Sequence, residues 1–343
     1  MVPLGKSRKS VETAPPLRGG GMAASASPAH GVFLSANAAV FLALIAAVGV
    51  PGLARAAEAQ QPKDVVDMVV RAMAHNYEQI KSAEVTIEVK SEEDRSVLPA
   101  YLLKPDPKPR QDPNILGVFS VAFRHTQHVI IRGEDLRYEL HRNDGISQTT
   151  VCKAGKVFDY VPATGQLNIR WTRDFRMPPM DPREVGTADS SVALADFLRS
   201  KELVDARLVK REASSTIARV VLKYERAQVQ YEFDSSLGFL PTLKVATNPD
   251  GSVISWLQIS YQDVLDGKAR FVKEAVERFF PPGATKTPTE KGWHQRIRYT
   301  VTKLQINPEI DDKAFQMDMA ADTRVYDWTK GKMPVEITPP LGR

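Results

Sequence analysis

Apolar residues recur at a helical period in one stretch and at a period of two almost everywhere after it. Across residues 62–80, Val65, Met68, Val69, Ala72, Met73, Tyr77 and Ile80 fall on one face of a helix. Pro62 suits a first helical turn, where its missing N–H costs nothing, and Asp64 puts a negative charge at the positive end of the helix dipole. The spacing therefore predicts an amphipathic helix that must lie against something. After Ser82, Val85, Ile87 and Val89 alternate with Thr86, Glu88 and Lys90, as in a half-buried strand. Further strand candidates are residues 117–123, 129–132, 136–140, 149–153, 156–161 and 167–171, many flanked by Gly, Asn, Asp or Pro turn signals.

The alternation is clearest over residues 217–306. Val220, Leu222 and Tyr224 alternate with polar neighbours, as do Val229, Tyr231 and Phe233, then Leu243 and Val245. Residues 234–238 and the run Asn248-Pro249-Asp250-Gly251 read as turns, residues 253–261 as a strand, Asp266-Gly267 as a turn, and Ile297, Tyr299 and Val301 as a later strand. Short strands joined by turns, with no helix between them, predict an antiparallel meander rather than a parallel α/β sheet. A second, short helix is expected near the midpoint, capped by Asp189 or Ser190 and carrying Val192, Leu194, Phe197 and Leu198 on its apolar side. The fold class is thus α+β, mainly antiparallel β, with amphipathic helices available to cover a sheet.

Ahead of this pattern lies a segment of another kind. Residues 38–50 form an uncharged apolar run, closed by Pro51-Gly52 and followed by Ala54-Arg55-Ala56 and Ala57-Glu58-Ala59. Lys6, Arg8, Lys9 and Arg18 precede it. A basic start, a short apolar core and small-x-small sites describe a secretory signal cut near residues 56–59. An uncleaved N-terminal membrane anchor is the alternative, since extension back to Val32 brings the run near membrane-spanning length. The expected organisation is a signal and n-region at 1–56, one domain at 57–328, and a flexible tail at 329–343, in the periplasm or cell envelope.

The leader changes how the charge is read. The chain holds 46 Lys and Arg against 41 Asp and Glu; without the first 56 residues, which hold five of the former and only Glu12 of the latter, 41 stand against 40. The basic balance belongs to the leader, and no basic stripe with interleaved aromatics supports a nucleic-acid partner. The single cysteine, Cys152, forms no internal disulfide and reads as an ordinary strand thiol.

No GxSxG elbow, P-loop, HExxH or dinucleotide fingerprint occurs, so no catalytic residue and no cofactor is expected. His125 and His128 form one close pair, with Glu134, Asp135 and His141 nearby. Three residues apart on a strand they point to opposite faces, so no metal site is expected. Asp311-Asp312 follows Asn307-Pro308 and reads as a turn or helix cap. Trp171, Phe175, Tyr224, Tyr231, Phe233, Trp256 and Tyr261 fit two descriptions, the lining of an apolar cavity in a curved sheet or the filling of a solid core.

Four segments carry a family resemblance. Residues 154–162, AGKVFDYVP, look like a "G-K-x-x-x-Y-x-P" strand and turn. Phe233-Asp234 with Leu237-Gly238-Phe239-Leu240-Pro241 resembles a strand leading to "G-L-P", residues 251–261 with Asp263 the strand after it, and Ile306-Asn307-Pro308 with Ile310 and Phe315 a closing "N-x-x-I-x-x-x-x-F" segment. In this order they resemble the LolA/LolB/RseB-like group of envelope proteins over residues 62–328. The Pro-rich stretch at 98–114 and the chain's length depart from the compact carriers. The resemblance implies a strongly curved half-barrel sheet, its concave face apolar and covered by helices, able to take a lipid or the acyl chains of a lipoprotein without catalysis. The expectation is a non-enzymatic binder of a hydrophobic ligand, making at most transient membrane contact, with Leu194, Phe197 and Leu198 as lid residues and Trp171 and Phe175 lining the cavity. The rival reading on the same fold is an RseB-like module that binds or senses an envelope protein.

Overall fold

The computed structural model describes residues 61–98, 123–143, 145–172, 181–187, 193–211, 215–224, 226–331 and 335–337. The leader with its cleavage sites, residues 117–122 of the strand expected over 117–123, Phe175, and the caps expected at Asp189 or Ser190 all lie outside these residues. Helix α1 spans Pro62–Glu78 and leads into strand β1, Ser82–Glu93. Strands β2 (Arg124–Arg132), β3 (Asp135–Arg142), β4 (Gly145–Lys153), β5 (Lys156–Val161) and β6 (Gln166–Trp171) follow as one meander. Helix α2, Leu194–Ser200, separates it from a second meander. That one comprises β7 (Glu202–Arg211), β8 (Ser215–Tyr224), β9 (Ala227–Asp234), β10 (Leu240–Thr247), β11 (Val253–Val264), β12 (Ala269–Phe279) and β13 (Gln295–Ile306). Two short strands close the chain, β14 (Arg324–Asp327) and β15 (Val335–Ile337).

All of these strands join one sheet in the order β15-β14-β6-β5-β4-β3-β2-β1-β13-β12-β11-β10-β9-β8-β7. The pairing of β1 with β13 fuses the two meanders, and the sheet stays open, with β7 and β15 at its edges. It is a strongly curved, mainly antiparallel half-barrel with two helices, the expected α+β class. Register shifts at Thr86/Ile87, Ser260/Tyr261, Pro241/Leu243, Ala246/Thr247 and Leu203/Asp205 bend individual strands and support that curvature. One pairing departs from the antiparallel rule: β14 runs parallel to β6. The closing segment fixes the junction between helix and sheet. Asn307 adopts φ +53°, a conformation asparagine tolerates. Its Oδ1 accepts the N–H of Lys81 at 2.7 Å, and its Nδ2 donates to the carbonyl of Gln79 at 3.0 Å.

Both helices cover one face of the sheet. Val65, Val66, Val69, Val70 and Met73 of α1 pack with Ala218, Val220 and Leu222 of β8 and with Val229, Tyr231 and Phe233 of β9. Leu194, Phe197 and Leu198 of α2 complete this cluster. A second cluster on the same face joins Val85, Ile87 and Val89 of β1 to Leu257, Ile259, Phe271 and Ala275 of β11 and β12. Each fully buried side chain of this size contributes about 1.5–3 kcal/mol, so the helix-covered face carries most of the stability of the second meander.

Candidate functional site: a helix-covered groove

The candidate site is the inner face of the sheet with the three pieces that cover it: α1, α2, and the strap of residues 181–187. The register shows how the strap lies. Gly186, at φ +75°, packs on the sheet so closely that an added Cβ would stand 3.1 Å from Leu257 Cδ1. Both the conformation and the contact call for glycine. Next to it the Thr187 carbonyl accepts the hydroxyl of Tyr231 at 3.0 Å, and Val185 joins the second apolar cluster.

Glu184 ties this strap to α2. Only 4% exposed, its Oε2 accepts the backbone N–H of Leu194 at 2.9 Å. A helix leaves its first N–H groups without internal partners; here the acceptor comes from ten residues earlier in the chain. Burial, with the charge of Asp181 second, pushes the Glu184 carboxyl up to about 7, against the pull of the Leu194 N–H and of Arg183. Tyr77 of α1 and Tyr261 of β11 are each raised well above the usual phenol value, chiefly by burial and next by Glu184 for Tyr77 and for Tyr261 alike. The Arg183 guanidinium, held by Asp181, stacks 5.1 Å over the Tyr77 ring.

Among the described residues, α1 is tied to the sheet by the side chain of Asn76 and by apolar contact along its covered face, and Asp67 faces Arg199 of α2 at 3.7 Å. Asn76 copies a strand partner: its Nδ2 donates to the Arg270 carbonyl at 3.0 Å and its Oδ1 accepts the Arg270 N–H at 2.8 Å. In α2, Phe197 meets Tyr224 at 5.5 Å and Tyr231 at 6.3 Å between ring centroids, and Tyr231 stacks on Phe233 at 6.0 Å. These aromatics fill the space beneath the helices, so in this state the groove is closed by packed side chains.

The sequence-derived residues divide. Leu194, Phe197 and Leu198 meet in α2, buried against the sheet. Trp171 does not join them. Pairing carries the inner face through Tyr138, Thr150, Asp159 and Asn168, and Trp171, three residues on, points to the opposite face. There its Nε1 donates to the Thr329 carbonyl and Lys156 lies 5.4 Å over its ring. Trp256 is also on the outer face, clustered with Val245, Val253 and Phe280 beneath Arg278. Beyond Tyr138 this row of the inner face turns polar: Gln148 and Thr150 both donate to Asp159 Oδ1 at 2.8 Å.

The other candidate chemistry resolves into structural pairs. His125 and His128 face opposite ways: His125 meets Gln127 at 3.0 Å, whereas His128 meets Glu84 at 3.0 Å and Glu139 at 3.7 Å. His128, Arg137 and His141 together hold Glu139 down to about 2, His128 contributing most. Burial raises the Cys152 thiol to about 11, so it rests protonated. Asp311 caps a short turn by accepting the Lys313 N–H, and Asp312 pairs with Arg132. Sequence reasoning missed Asn76, Glu184 and Gly186. Among the described residues no helix is long and apolar enough to cross a membrane.

No protein-family model matches the chain, and no curated protein matches it. Several solved structures resemble its architecture. A domain assigned to outer membrane lipoprotein sorting, from Vibrio parahaemolyticus, is 10% identical over 75% of this chain and 97% of its own, with a TM-score of 0.45. A LolA superfamily protein from Nitrosomonas europaea is 11% identical over 76% of this chain and 99% of its own, with a TM-score of 0.43. A DUF1329 family protein from Desulfovibrio piger is 10% identical over 75% of this chain and 98% of its own, with a TM-score of 0.42. At such scores the functional reading rests on the groove of this chain itself.

Proposed function

We propose that the protein is an exported, non-enzymatic binding protein of the cell envelope that shelters a hydrophobic ligand, a lipid or the acyl chains of a lipoprotein, on the inner face of the half-barrel. The folded unit takes in the elements from α1 through β15, and Leu194, Phe197 and Leu198 act as lid residues together with the apolar face of α1. One observation carries this reading: the apolar inner face of an open sheet is roofed by two helices and a strap rather than by a second sheet. Among the described residues, polar contacts at Asn76, Glu184, Thr187 and Asp67 attach those covers.

The energies are matched to a long chain. Lifting α1 uncovers Val65, Val66, Val69, Val70 and Met73, a cost on the order of 10 kcal/mol. An acyl chain returns about 0.8 kcal/mol per methylene, so roughly a dozen methylenes offset the opening. A lipid with shorter chains leaves the lid closed. Trp171, on the outer face, takes no part in this groove.

The test is organic extraction and mass spectrometry of the protein purified from its native compartment. The expected result is lipid near one molecule per chain. Protein that carries no extractable lipid, and takes up none from monopalmitoylglycerol dispersions, contradicts the reading. Recovery of one stable protein partner without lipid favours the RseB-like alternative instead.

A further inference from the structure

Strand β7 ends the sheet on the side of the second meander. Among the described residues it pairs with β8 alone, so one row of its backbone N–H and C=O groups faces outward. Such a row is a template for another strand, and proteins blunt it with irregular backbone. Here the blunting is confined to one end. The register with β8 shifts at Leu203/Asp205 and then runs without interruption from Asp205 on Val221 to Arg211 on Ser215. Beyond the shift the edge keeps a large apolar side chain in water, since Leu208 is 38% exposed. Ala206 and Leu208 lie opposite Val220 and Ala218 of the inner-face cluster, so Asp205, Arg207, Val209 and Arg211 alternate to the outer face.

This stretch is complementary to itself. Two copies that meet antiparallel about a two-fold axis set inner-face residues against inner-face residues, so the axis falls on a residue and not between two. Placed on Arg207, the axis sets that arginine against its own copy. Placed on Val209, it sets Arg207 against Arg211. Placed on Ala206, it carries the pairing into the register shift. Placed on Leu208, it sets Asp205 of each copy against Arg211 of the other, Ala206 against Lys210, Arg207 against Val209, and the two leucines against each other. Opposite charges and apolar pairs directly across a sheet are favourable, and like charges there are not. Asp205 then has two cations, Arg207 of its own strand at 3.4 Å and Arg211 of the second copy.

We propose that β7 is a self-association edge, and that the protein forms a symmetric dimer in which residues 205–211 of two copies pair antiparallel about Leu208 and join two sheets into one. The contact is short, so the dimer is weak and reversible and forms as the protein is concentrated. It is independent of what the groove holds.

Sedimentation velocity of the protein purified from its native compartment tests this. The wild type is expected to pass from monomer to dimer between about 1 and 100 μM. Asp205→Arg and Arg211→Asp each set like charges opposite one another at both ends of the pairing, and each is expected to weaken the dimer about tenfold. The double variant D205R/R211D restores opposite charges and is expected to dimerise as the wild type does. A wild type that stays monomeric over this range overturns the proposal. Single variants that dimerise like the wild type, or a double variant no better than the singles, overturn it as well, because the copies then meet elsewhere. Should a charge variant fail to fold, Leu208→Lys decides: it sets two ammonium groups on the axis and is expected to leave only monomer, and undiminished dimerisation overturns the proposal.

Discussion

Glu184 accepts the backbone N–H of Leu194 at 2.9 Å, so a buried carboxyl group carried by the strap holds the first turn of α2. Its folded value near 7 lies above the usual carboxyl range, which fixes the sign of the pH effect. Between about pH 4.5 and pH 7 the folded state binds more protons than the unfolded one, so stability falls as pH rises through that window. The favourable contribution is complete below the window and amounts to about 3 kcal/mol. The covers are therefore expected to loosen toward neutral pH. Glu184→Gln keeps an acceptor for Leu194 and removes the titration. Thermal unfolding across this window should lose most of its slope in the variant; an unchanged slope assigns the effect to another group.

This contact also shows where sequence reading stops. The apolar spacing of Leu194, Phe197 and Leu198 located α2, but the helix begins at Leu194 with Ala193 as its N-cap and takes its acceptor from Glu184. A local search for a capping residue cannot find a partner supplied by tertiary structure. The two meanders were legible wherever one face is buried and the other wet. Strand β12 was not: in ARFVKEAVERF the buried pairs Phe271-Val272 and Ala275-Val276 break alternation, and a register shift opposite Ser260/Tyr261 brings Phe271, Val272 and Ala275 into one apolar cluster. Strand β7 escaped notice for the opposite reason, being an exposed edge with a register shift at Leu203/Asp205. Strand β14 pairs in parallel with a segment far away in sequence, and no turn signal announces such a pairing. The aromatics showed only that a core or a cavity needed lining; register alone separates Tyr231 from Trp171 and Trp256.

Gly186 tests how closely the strap is seated. Gly186→Ala places a Cβ against Leu257 in a left-handed conformation, and a cost of about 1–3 kcal/mol is expected. Hydrogen exchange should accelerate in residues 181–187 and in α2 while β1 and β13 keep their protection. Uniform acceleration throughout the sheet would show that the strap is part of the global core rather than a cover.

Asn76 makes a parallel case for α1. Asn76→Leu leaves the Arg270 N–H and carbonyl without the partners that the helix supplies, at a cost of about 1–3 kcal/mol. The expected consequence is faster exchange along α1 and faster lipid uptake. A variant with slower uptake contradicts the assignment of α1 as a cover.

Phe197, expected as a lid residue, and Trp171, expected to line the cavity, lie on opposite faces of the sheet. Trp171→Ala should leave monopalmitoylglycerol binding unchanged within about twofold, since the side chain faces outward. Phe197→Ala opens space beneath the lid at a cost of about 3–5 kcal/mol and should change lipid uptake strongly. Equal effects from the two would contradict the placement of the groove.

The central claim is that the inner face holds an acyl chain once its covers lift. Hydrogen exchange of the full chain, read at α1, the strap and α2 while monopalmitoylglycerol is titrated, tests it most directly. The account predicts that amides in 62–78, 181–187 and 194–200 lose protection as lipid binds, while β8 through β12 retain theirs. Saturable lipid binding with no change in those segments, or no binding at all, contradicts it.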